Sequence, residues 1–342
     1  MKQKYIIGVD ISKSKIDCAV IDAHFKLYRE REVANQDAKL RSFLNGALKS
    51  LRLQADELLV CCENTGIYNA PLRRVCSELG IGLWEVQALK IKRASIDLRG
   101  KSDRKDALRI ADYGVRYNDQ QQLYVAPAAN LKELDALTKT RDTLVQQRVM
   151  INNQLSEAKS HDSTLYKLLF DNYKATLKTL DGSIKKTEKK IESLINQDEQ
   201  MRKNKELLVS IPGVGSQLAH NFILSTNNFT DFTSAKQLAC YAGVVPFENA
   251  SGTIIKRPRV SKLANQKLKH LLHLTALCVI RGKGELHAYY IRKVQEGKNK
   301  MSVLNAIRNK IVHRIMAVIT RQTPFIKSAE DYNQNCNLGV AF

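Results

Sequence analysis

Two aspartates three residues apart carry the first chemical signal in this sequence. Asp103 and Asp106 lie in the run Lys-Ser-Asp-Arg-Lys-Asp-Ala at 101–107, in the first turn of a helix predicted over 102–116. Side chains at i and i+3 share one helix face, so both carboxylates point the same way. Two like charges this close are costly without a cation between them, and ligand sets made only of oxygen suit Mg²⁺ or Mn²⁺. Acidic residues also favour the first turn of a helix for electrostatic reasons alone, so the pair needs partners.

Two further carboxylates end short apolar runs that are typical of buried strands. Asp10 lies near the end of the run at 5–11, and Glu63 ends the run at 58–63. A carboxylate at the end of a buried strand is hard to explain by packing. Together with the helical pair, these two form an Asp-Glu-Asp-Asp set that could bracket two metal ions for in-line displacement at phosphorus.

The charge of the chain predicts a polyanionic partner. Its 342 residues carry a net charge of +21, and the excess is uneven. Residues 1–125 contain 22 basic and 16 acidic side chains, whereas residues 251–323 contain 16 basic side chains opposed only by Glu285 and Glu296. So lopsided a tract is typical of a surface that follows phosphates.

Composition also limits the compartment. The seven cysteines form no Cys-x-x-Cys pair, and several lie in apolar runs, which is typical of reduced core thiols. No signal peptide and no apolar span of 18 residues is recognisable. We therefore expect a cytoplasmic protein with no membrane contact.

The order of predicted elements over residues 1–125 favours a ribonuclease H-like α/β domain. Strands are predicted over 6–11, 16–21, 26–33, 57–62 and 82–86, and helices over 37–51, 68–79, 88–98 and 102–116. Three consecutive strands followed by alternating helix and strand is the order of that fold. In it, the two strands that bear carboxylates lie side by side and the late helix packs across their ends.

Residues 126–203 predict a long helical hairpin of coiled-coil type. Apolar residues recur at helical spacing, and the pattern breaks at 160–163, where the chain would fold back. We interpret the hairpin as a structural spacer or an assembly arm.

Residues 204–325 predict a third, mostly α-helical domain, followed by a polar tail over 326–342 without an assigned role. Gly213 and Gly215 lie in Ile-Pro-Gly-Val-Gly, a predicted helix–turn–helix joint. In helix-hairpin-helix modules, such a turn lets backbone N–H groups contact a phosphate at a helix N-terminus. A simple corner between two helices is the alternative.

A serine in the same region lies in a predicted loop ahead of basic residues. Ser251 precedes a glycine, which is ordinary turn chemistry, but the cations that follow suit a bound phosphate. Ser261 is the competing hydroxyl. The cations of this tract are Lys256, Arg257, Arg259 and Lys262.

These motifs together resemble the DEDD transposases of the insertion sequence 110 family, recombinases that work with a structured bridge RNA. The resemblance covers about residues 4–325. The motifs that carry it are GVDISK at 8–13, ENTG at 63–66, KSDRKDA at 101–107, IPGVG at 211–215, LACYAGVVP at 238–246 and ASG at 250–252.

The resemblance implies a RuvC-like catalytic domain over 1–125 and a serine-bearing transposase domain over 204–325. It makes Asp10, Glu63, Asp103 and Asp106 the metal-binding tetrad. Ser251 matches the nucleophile that would attack the scissile phosphodiester and form a transient phosphoserine link, while Mg²⁺, or Mn²⁺, supports the transfer. Thr253 departs from the family, whose members often have a second glycine there.

The resemblance also implies partners. These are DNA at the element ends and target, a structured guide RNA, and further copies of the chain in a dimer or tetramer that combines tetrad and serine across subunits. The residues we predict to contact nucleic acid are Lys101, Arg104, Lys105, Gly213, Gly215, Lys256, Arg257, Arg259 and Lys262.

Three other functions fit parts of the sequence. A Holliday-junction resolvase of RuvC type would use the tetrad with water as nucleophile, but it leaves everything after residue 125 unexplained. An actin-like sugar kinase shares the Gly-x-Asp strand, yet no second glycine-rich phosphate loop follows and the charge of +21 suits it poorly. A non-catalytic nucleic-acid-binding protein would not require all four carboxylates.

Overall fold

The chain divides into two compact units, Met1–Ala126 and Pro127–Phe342. The structure, a computed structural model, describes residues 3–94, 103–251, 254–261 and 263–326, with the backbone alone for 249–251 and 254–259. The predicted nucleic-acid contacts Lys101 and Lys262 lie outside the described residues.

A five-stranded mixed sheet forms the centre of the first unit. Its strands are β1 Tyr5–Ile11, β2 Lys15–Asp22, β3 Leu27–Ala34, β4 Leu58–Glu63 and β5 Gly82–Val86. Their spatial order is β3-β2-β1-β4-β5, in which β2 runs antiparallel to β1 and β3, while β4 is parallel to both β1 and β5. This order confirms the predicted ribonuclease H-like fold.

Helices cover both faces of this sheet. They are α1 Asp37–Leu51, α2 Ala70–Leu79, α3 Ala88–Ala94 and α4 Asp103–Arg116. One core packs α1 and α2 against the sheet, and a second core packs α3 and α4 against the opposite face. The predicted helix over 88–98 is described as far as Ala94, and its last four residues lie outside the described residues.

Two long antiparallel helices begin the second unit. They are α5 Ala129–His161 and α6 Ser163–Gln197, and Asp162 between them caps α6 by accepting from the Thr164 and Leu165 N–H groups. Arg141 pairs with Glu188 at 2.7 Å and Arg148 with Asp181 at 3.0 Å. Both pairs have the same sum of residue numbers, which is the register of an antiparallel hairpin. The predicted hairpin, including its break, is therefore confirmed.

Helices dominate the remainder of the second unit, as predicted. They are α7 Glu199–Val209, α8 Ser216–Ser225, α9 Ala235–Tyr241, α10 Gln266–Arg281, α11 Glu285–Gln295 and α12 Lys300–Arg321, with a hairpin of β6 Pro246–Ser251 and β7 Ile254–Val260. One core joins the base of the α5–α6 hairpin to these helices. The domain division at residue 203 therefore stays a prediction. Among the described residues, no helix is both long and apolar enough to cross a membrane.

Candidate active site

Asp10 lies near the end of β1, on the sheet face that α4 covers. Side chains alternate between the two faces of a strand, so Asp10 shares its face with Gly8 and Ile6. Ile6 belongs to the core beneath α4, whereas Ile7 and Val9 belong to the core beneath α1 and α2. The alternation of β1 therefore directs the Asp10 carboxylate toward α4.

Helix α4 approaches β1 closely because small residues meet at their crossing. A Cβ atom at Gly8 would lie 2.2 Å from the Ala107 carbonyl oxygen and 2.3 Å from the Ala111 backbone nitrogen. Separations this short are never tolerated, so this position requires glycine. The glycine of the Gly-Val-Asp motif thus has a packing role: it allows α4 to lie directly on the strand that bears Asp10.

A second close contact fixes the direction of α4. A Cβ atom at Gly114 would lie 2.9 Å from Ile6 Cγ2. Because the start of α4 lies over Gly8 and its later part over Ile6, the helix runs antiparallel to β1. The first turn of α4, with Asp103 and Asp106, therefore extends over the carboxyl end of β1.

Glu63 ends β4, the parallel neighbour of β1. The register pairs Val9 with Cys62, so Asp10 and Glu63 occupy neighbouring positions on strands about 4.8 Å apart. Cys61 belongs to the core beneath α4, so Glu63, two residues later, faces α4 as well. The carboxyl ends of β1 and β4 thus bring two carboxylates together beneath the aspartate pair of α4.

Asn69 fixes the chain where β4 ends. Its buried side chain donates from Nδ2 to the Glu63 carbonyl oxygen at 2.9 Å and to Glu85 Oε1 at 2.9 Å, and its Oδ1 accepts from the Thr65 N–H at 3.1 Å. The Glu-Asn-Thr-Gly motif is therefore tied back to β4 and β5, which holds the strand end that bears Glu63.

The carboxylates act on one another electrostatically. Burial, followed by the charges of Asp106, Asp103 and Asp17, raises the pKa of Asp10 above its ordinary value. Burial, followed by the charges of Asp10 and Asp106, raises the pKa of Glu63. Both strand carboxylates are thus held where a negative charge is unfavourable, and a cation between them would remove that penalty.

Two protein cations reach the helical pair. Arg109 Nη1 lies 2.6 Å from Asp106 Oδ1, and Lys15 Nζ lies 3.4 Å from Asp103 Oδ2. Lys15 also pairs with Glu32 at 2.8 Å. The side chain of Asp103 is 63% exposed, which leaves this carboxylate accessible to ligands.

The tetrad suits a divalent cation both in the type of its ligand atoms and in the side of the sheet that its four side chains share. Its ligands are all carboxylate oxygens, as Mg²⁺ and Mn²⁺ prefer, and they gather on one side of the sheet. As these side chains stand, no three His, Cys, Asp or Glu residues of the described chain form a group that could hold a metal ion. Arg109 pairs with Asp106, so a metal ion would compete with this cation for the carboxylate.

Sequence reasoning missed two residues of this cluster. Asp17, which is 5% exposed, lies opposite Asp10 in the β1–β2 register, and Lys15 Nζ is 3.4 Å from Asp17 Oδ2. The alternation of β2 could have revealed them, because Lys15 and Asp17 are two residues apart and share the Asp10 face.

The sequence indicated that Ser251 lies in a loop. In the structure, Ser251 is instead the last residue of β6. It pairs with Ile254 at the tip of the β6–β7 hairpin, whereas Ser261 follows β7 at the base. Ser261 Oγ accepts from the Leu263 N–H at 3.1 Å, so this hydroxyl is part of a local turn. The two candidate nucleophiles therefore lie at opposite ends of the β6–β7 hairpin.

The predicted basic contacts lie on different elements. Lys256, Arg257 and Arg259 all belong to β7. The exposed Arg104 and Lys105 belong to the first turn of α4 in the first unit. Their contact with nucleic acid stays a prediction.

The two predicted glycines between α7 and α8 differ in their surroundings. Gly213 has a φ of +86°, and a Cβ atom there would lie 2.2 Å from Val279 Cγ2, so it has a packing role. A Cβ atom at Gly215 would contact nothing within 4 Å, and no side chain caps the N-terminus of α8 that Gly215 begins. Of the two, Gly215 leaves space where a phosphate could approach the helix.

Family models match both units. A model for DEDD transposases of the IS110 type, described as "Transposase", matches residues 7–158. A second model, described as "Transposase IS116/IS110/IS902 family", matches residues 205–291. Together these matches include all four tetrad positions and Ser251.

Full-length relatives agree with these models. The chain is 26% identical over 328 residues to the pilin gene-inverting protein of Moraxella bovis, covering 95% of this chain and 98% of the relative. It is 23% identical over 355 residues to the transposase for insertion sequence element IS1111A of Coxiella burnetii, covering 95% and 92%. Among solved structures, Thermus thermophilus RuvC in complex with a Holliday junction substrate matches 36% of this chain and 100% of that chain, with 11% identity and a TM-score of 0.29.

Proposed function

Because the chain belongs to the IS110 family of transposases, we propose that it cuts and rejoins DNA with the carboxylate tetrad of its first unit and the serine of its β6–β7 hairpin. The observation that carries the proposal is the assembly of Asp10, Glu63, Asp103 and Asp106 from β1, β4 and α4 on one face of the sheet. One relative is named for gene inversion and another for transposition. Both outcomes require the same cutting and rejoining of strands.

The tetrad is the proposed site for a divalent cation, Mg²⁺ or Mn²⁺. When bound, such an ion stabilises the negative charge that develops on phosphate oxygens during transfer. Asp10 and Glu63 are held by the sheet, so they supply fixed oxygens, whereas Asp103 and Asp106 lie on the helix above them. Arg109 pairs with Asp106 at 2.6 Å and would have to yield this carboxylate to a bound cation.

Ser251 is the proposed nucleophile. Its Oγ would form a bond to the scissile phosphorus as the bond from phosphorus to the leaving sugar oxygen breaks, and the serine proton would leave to that oxygen or to water. The resulting phosphoserine preserves the energy of the phosphodiester, so the DNA can be rejoined without another energy source. Its place at the tip of a two-stranded hairpin supports this role, because a hairpin tip can reach into a bound duplex.

Nucleic-acid backbones are the proposed ligands of the basic residues of β7 and of the N-terminus of α8. The cations of β7 and the N-terminus of α8 beside Gly215 are the contacts that support this assignment. A structured guide RNA would supply sequence choice by base pairing, so that the protein need only read the backbone.

A homo-oligomer is proposed because the tetrad and Ser251 belong to different units. Mixing Asp10→Asn chains with Ser251→Ala chains tests it. Recovery of activity in the mixture, when each variant alone is inactive, supports catalysis across subunits. A mixture as inactive as its components argues that one chain must carry both.

Trapping of the covalent adduct tests the serine mechanism. Wild type, Ser251→Ala and Ser261→Ala are incubated with labelled element-end DNA and Mg²⁺, with and without guide RNA, then denatured and separated on a gel. A protein–DNA adduct that only Ser251→Ala loses supports the proposal, and one that only Ser261→Ala loses moves the nucleophile. Metal-dependent cleavage without an adduct in any sample contradicts the serine mechanism and indicates a hydrolytic nuclease of the resolvase kind.

A further inference from the structure

Arg308 on α12 is a buried cation that no acid of the described chain neutralises. The residue is only 7% exposed, and its Nε is fully buried without a hydrogen-bond partner. None of the ion pairs between described residues involves its guanidinium. Burial is the cause that lowers its pKa. An arginine that is taken out of water without a counter-ion destabilises the fold, because its charge loses solvation and gains nothing in return.

The charge of Arg308 acts on two further basic side chains, both on α10. Lys269 and His273 are four residues apart on α10, so they share one face of that helix, and both are half-buried. Burial and then the charge of Arg308 lower the pKa of each. His273 Nδ1 is also buried without a hydrogen-bond partner. We call Arg308, Lys269 and His273 the α10–α12 basic cluster.

The acids of the surrounding tract are already engaged elsewhere. Residues 251–323 contain only two, Glu285 and Glu296. Glu285 pairs with Arg314, and Glu296 pairs with Lys293 at 2.6 Å. The charge of His270 adds repulsion toward His273. The cluster is therefore a concentration of positive charge without an internal anion among the described residues.

The cluster lies beside the chain that leads into the serine hairpin. Asn305, one turn before Arg308, donates from Nδ2 to the Val244 carbonyl oxygen at 2.8 Å. A Cβ atom at the preceding Gly243 would lie 3.4 Å from Lys269 Cδ. Strand β6 begins at Pro246, so the cluster marks the base of the hairpin whose tip bears Ser251.

We propose that the α10–α12 basic cluster binds a backbone phosphate of the nucleic acid on which this chain acts. The inference rests on the proposed function, since it assumes that nucleic acid lies along the β6–β7 hairpin. The six residues of β6 span about 17 Å, so this phosphate is a few nucleotides away from the one that Ser251 attacks. A guanidinium fork, an ammonium and an imidazole together match the oxygens of a phosphodiester. The cluster is thus a binding site that positions the strand, and its residues are positioning residues.

Arg308→Met is the decisive variant, because it keeps the length of the side chain and removes the charge. Without nucleic acid, we expect its thermal midpoint to rise, since a buried unpaired charge is replaced by an apolar side chain. With nucleic acid, we expect its affinity to fall about tenfold and the slope of log affinity against log salt to decrease by about one. Arg321→Met, an exposed arginine on the same helix, is the matched control and should leave the thermal midpoint unchanged.

The same titration with duplex DNA and with RNA of the same sequence identifies the source of the phosphate. A loss on DNA alone assigns the cluster to the DNA strand, and a loss on RNA alone assigns it to the guide. If Arg308→Met does not fold, Lys269→Met decides by the same loss of affinity and slope. A higher thermal midpoint with affinity and slope unchanged on both nucleic acids overturns the proposal and leaves Arg308 as a packing residue.

Binding is measured separately from adduct formation. A wild type that forms no adduct, together with an Arg308→Met chain that loses affinity, would retain the phosphate site and reject the serine mechanism. If wild type forms the adduct and both Arg308→Met and Lys269→Met bind nucleic acid as wild type does, the serine mechanism is retained and the phosphate site is rejected.

Discussion

The two units of this chain concentrate charge of opposite sign, and they do so by different means. In the first unit, strand ends and a helix start bring carboxylates together, and Lys15 and Arg109 balance part of their charge. In the second unit, Arg308 on α12 is buried, and no acid among the described residues pairs with it. Each concentration should cost stability in the free protein, and the proposed ligands, a divalent cation in one case and a phosphate in the other, would relieve that cost. Unbalanced charge that a fold tolerates is therefore a useful guide to what it binds.

The largest expected effect comes from the position that allows the carboxylates to meet. Gly8→Val would place side-chain atoms inside α4, and we expect a loss of about 3 kcal/mol or more in the free energy of unfolding. Gly46→Ala is the control, since a Cβ atom there contacts nothing and alanine favours the helical interior of α1. Denaturant unfolding followed by circular dichroism measures both. Equal stability of the two variants would contradict the close crossing of α4 and β1.

Removal of a tetrad charge tests whether repulsion among the four carboxylates destabilises the first unit when no metal ion is bound. Without metal, Asp10→Asn should raise the thermal midpoint, because it removes a repelling carboxylate. Wild type should gain about 2.7 kcal/mol when Mg²⁺ is present at a hundred times its dissociation constant, and the variant should lose most of this gain. The thermal midpoint with Mg²⁺ and with EDTA is the measurement. A metal response that Asp10→Asn retains in full would show that the ion binds elsewhere.

His220, also in the second unit, differs from Arg308 because it is buried in its neutral form. Burial lowers the pKa of His220 to about 4, with the charges of Lys205 and Arg141 in the same direction and those of Glu192 and Glu188 opposed. The unfolded chain takes up its proton near pH 6.5, so stability is complete above that pH and falls between pH 6.5 and 4. We expect a loss of about 2 kcal/mol between pH 7 and pH 5 from this residue.

Denaturant midpoints at these two pH values, for wild type and His220→Leu, measure that loss. The leucine variant should show a weaker pH dependence, whereas the exposed His161→Gln should behave as wild type. An unchanged pH dependence in His220→Leu would show that His220 takes up its proton equally in the folded and the unfolded chain.

The smallest effect is expected at the α5–α6 hairpin, where exposed charges are already paired. Arg148→Ala removes the pair with Asp181, and its cost should stay at about 0.5 kcal/mol. A loss of several kcal/mol in the free energy of unfolding would contradict this prediction, because exposed ion pairs rarely stabilise a fold by that much. The thermal midpoints of wild type and Arg148→Ala in low and high salt check this. Salt screens exposed ion pairs, so the small difference between the two proteins should decrease in high salt.

Strong periodicity made the first unit and the long hairpin predictable from the sequence. Alternation in β1 and β4 and helical spacing in α4 are local signals, so the gathering of the four carboxylates followed once the fold order was recognised. Ser251 was predicted to lie in a loop because it precedes a glycine, and Pro258 and polar residues interrupt the alternation that would have indicated the β6–β7 hairpin. The structure shows the interruption as an irregular register between Phe247 and Asn249.

Arg308 could not be predicted because its burial depends on how α12 packs against the other helices of the second unit. A basic residue on a helix normally faces solvent. In a tract with so many basic residues, nothing in the charge pattern distinguishes the buried Arg308 from the exposed ones. The signal that existed was its spacing, since Arg308 lies four residues from both Leu304 and Val312 on the apolar face of α12.

Metal-dependent cleavage by tetrad variants tests the central claim most directly. Labelled element-end DNA is incubated with wild type, Asp10→Asn and Asp112→Asn, in Mg²⁺ and in EDTA. Asp112 is the matched control, because it lies on α4 but pairs with Arg116 away from the tetrad. We predict cleavage in Mg²⁺ by wild type and Asp112→Asn, and a loss of about a thousandfold in Asp10→Asn with DNA binding retained. Cleavage by Asp10→Asn at the wild-type rate, or equal cleavage in EDTA, would contradict the account.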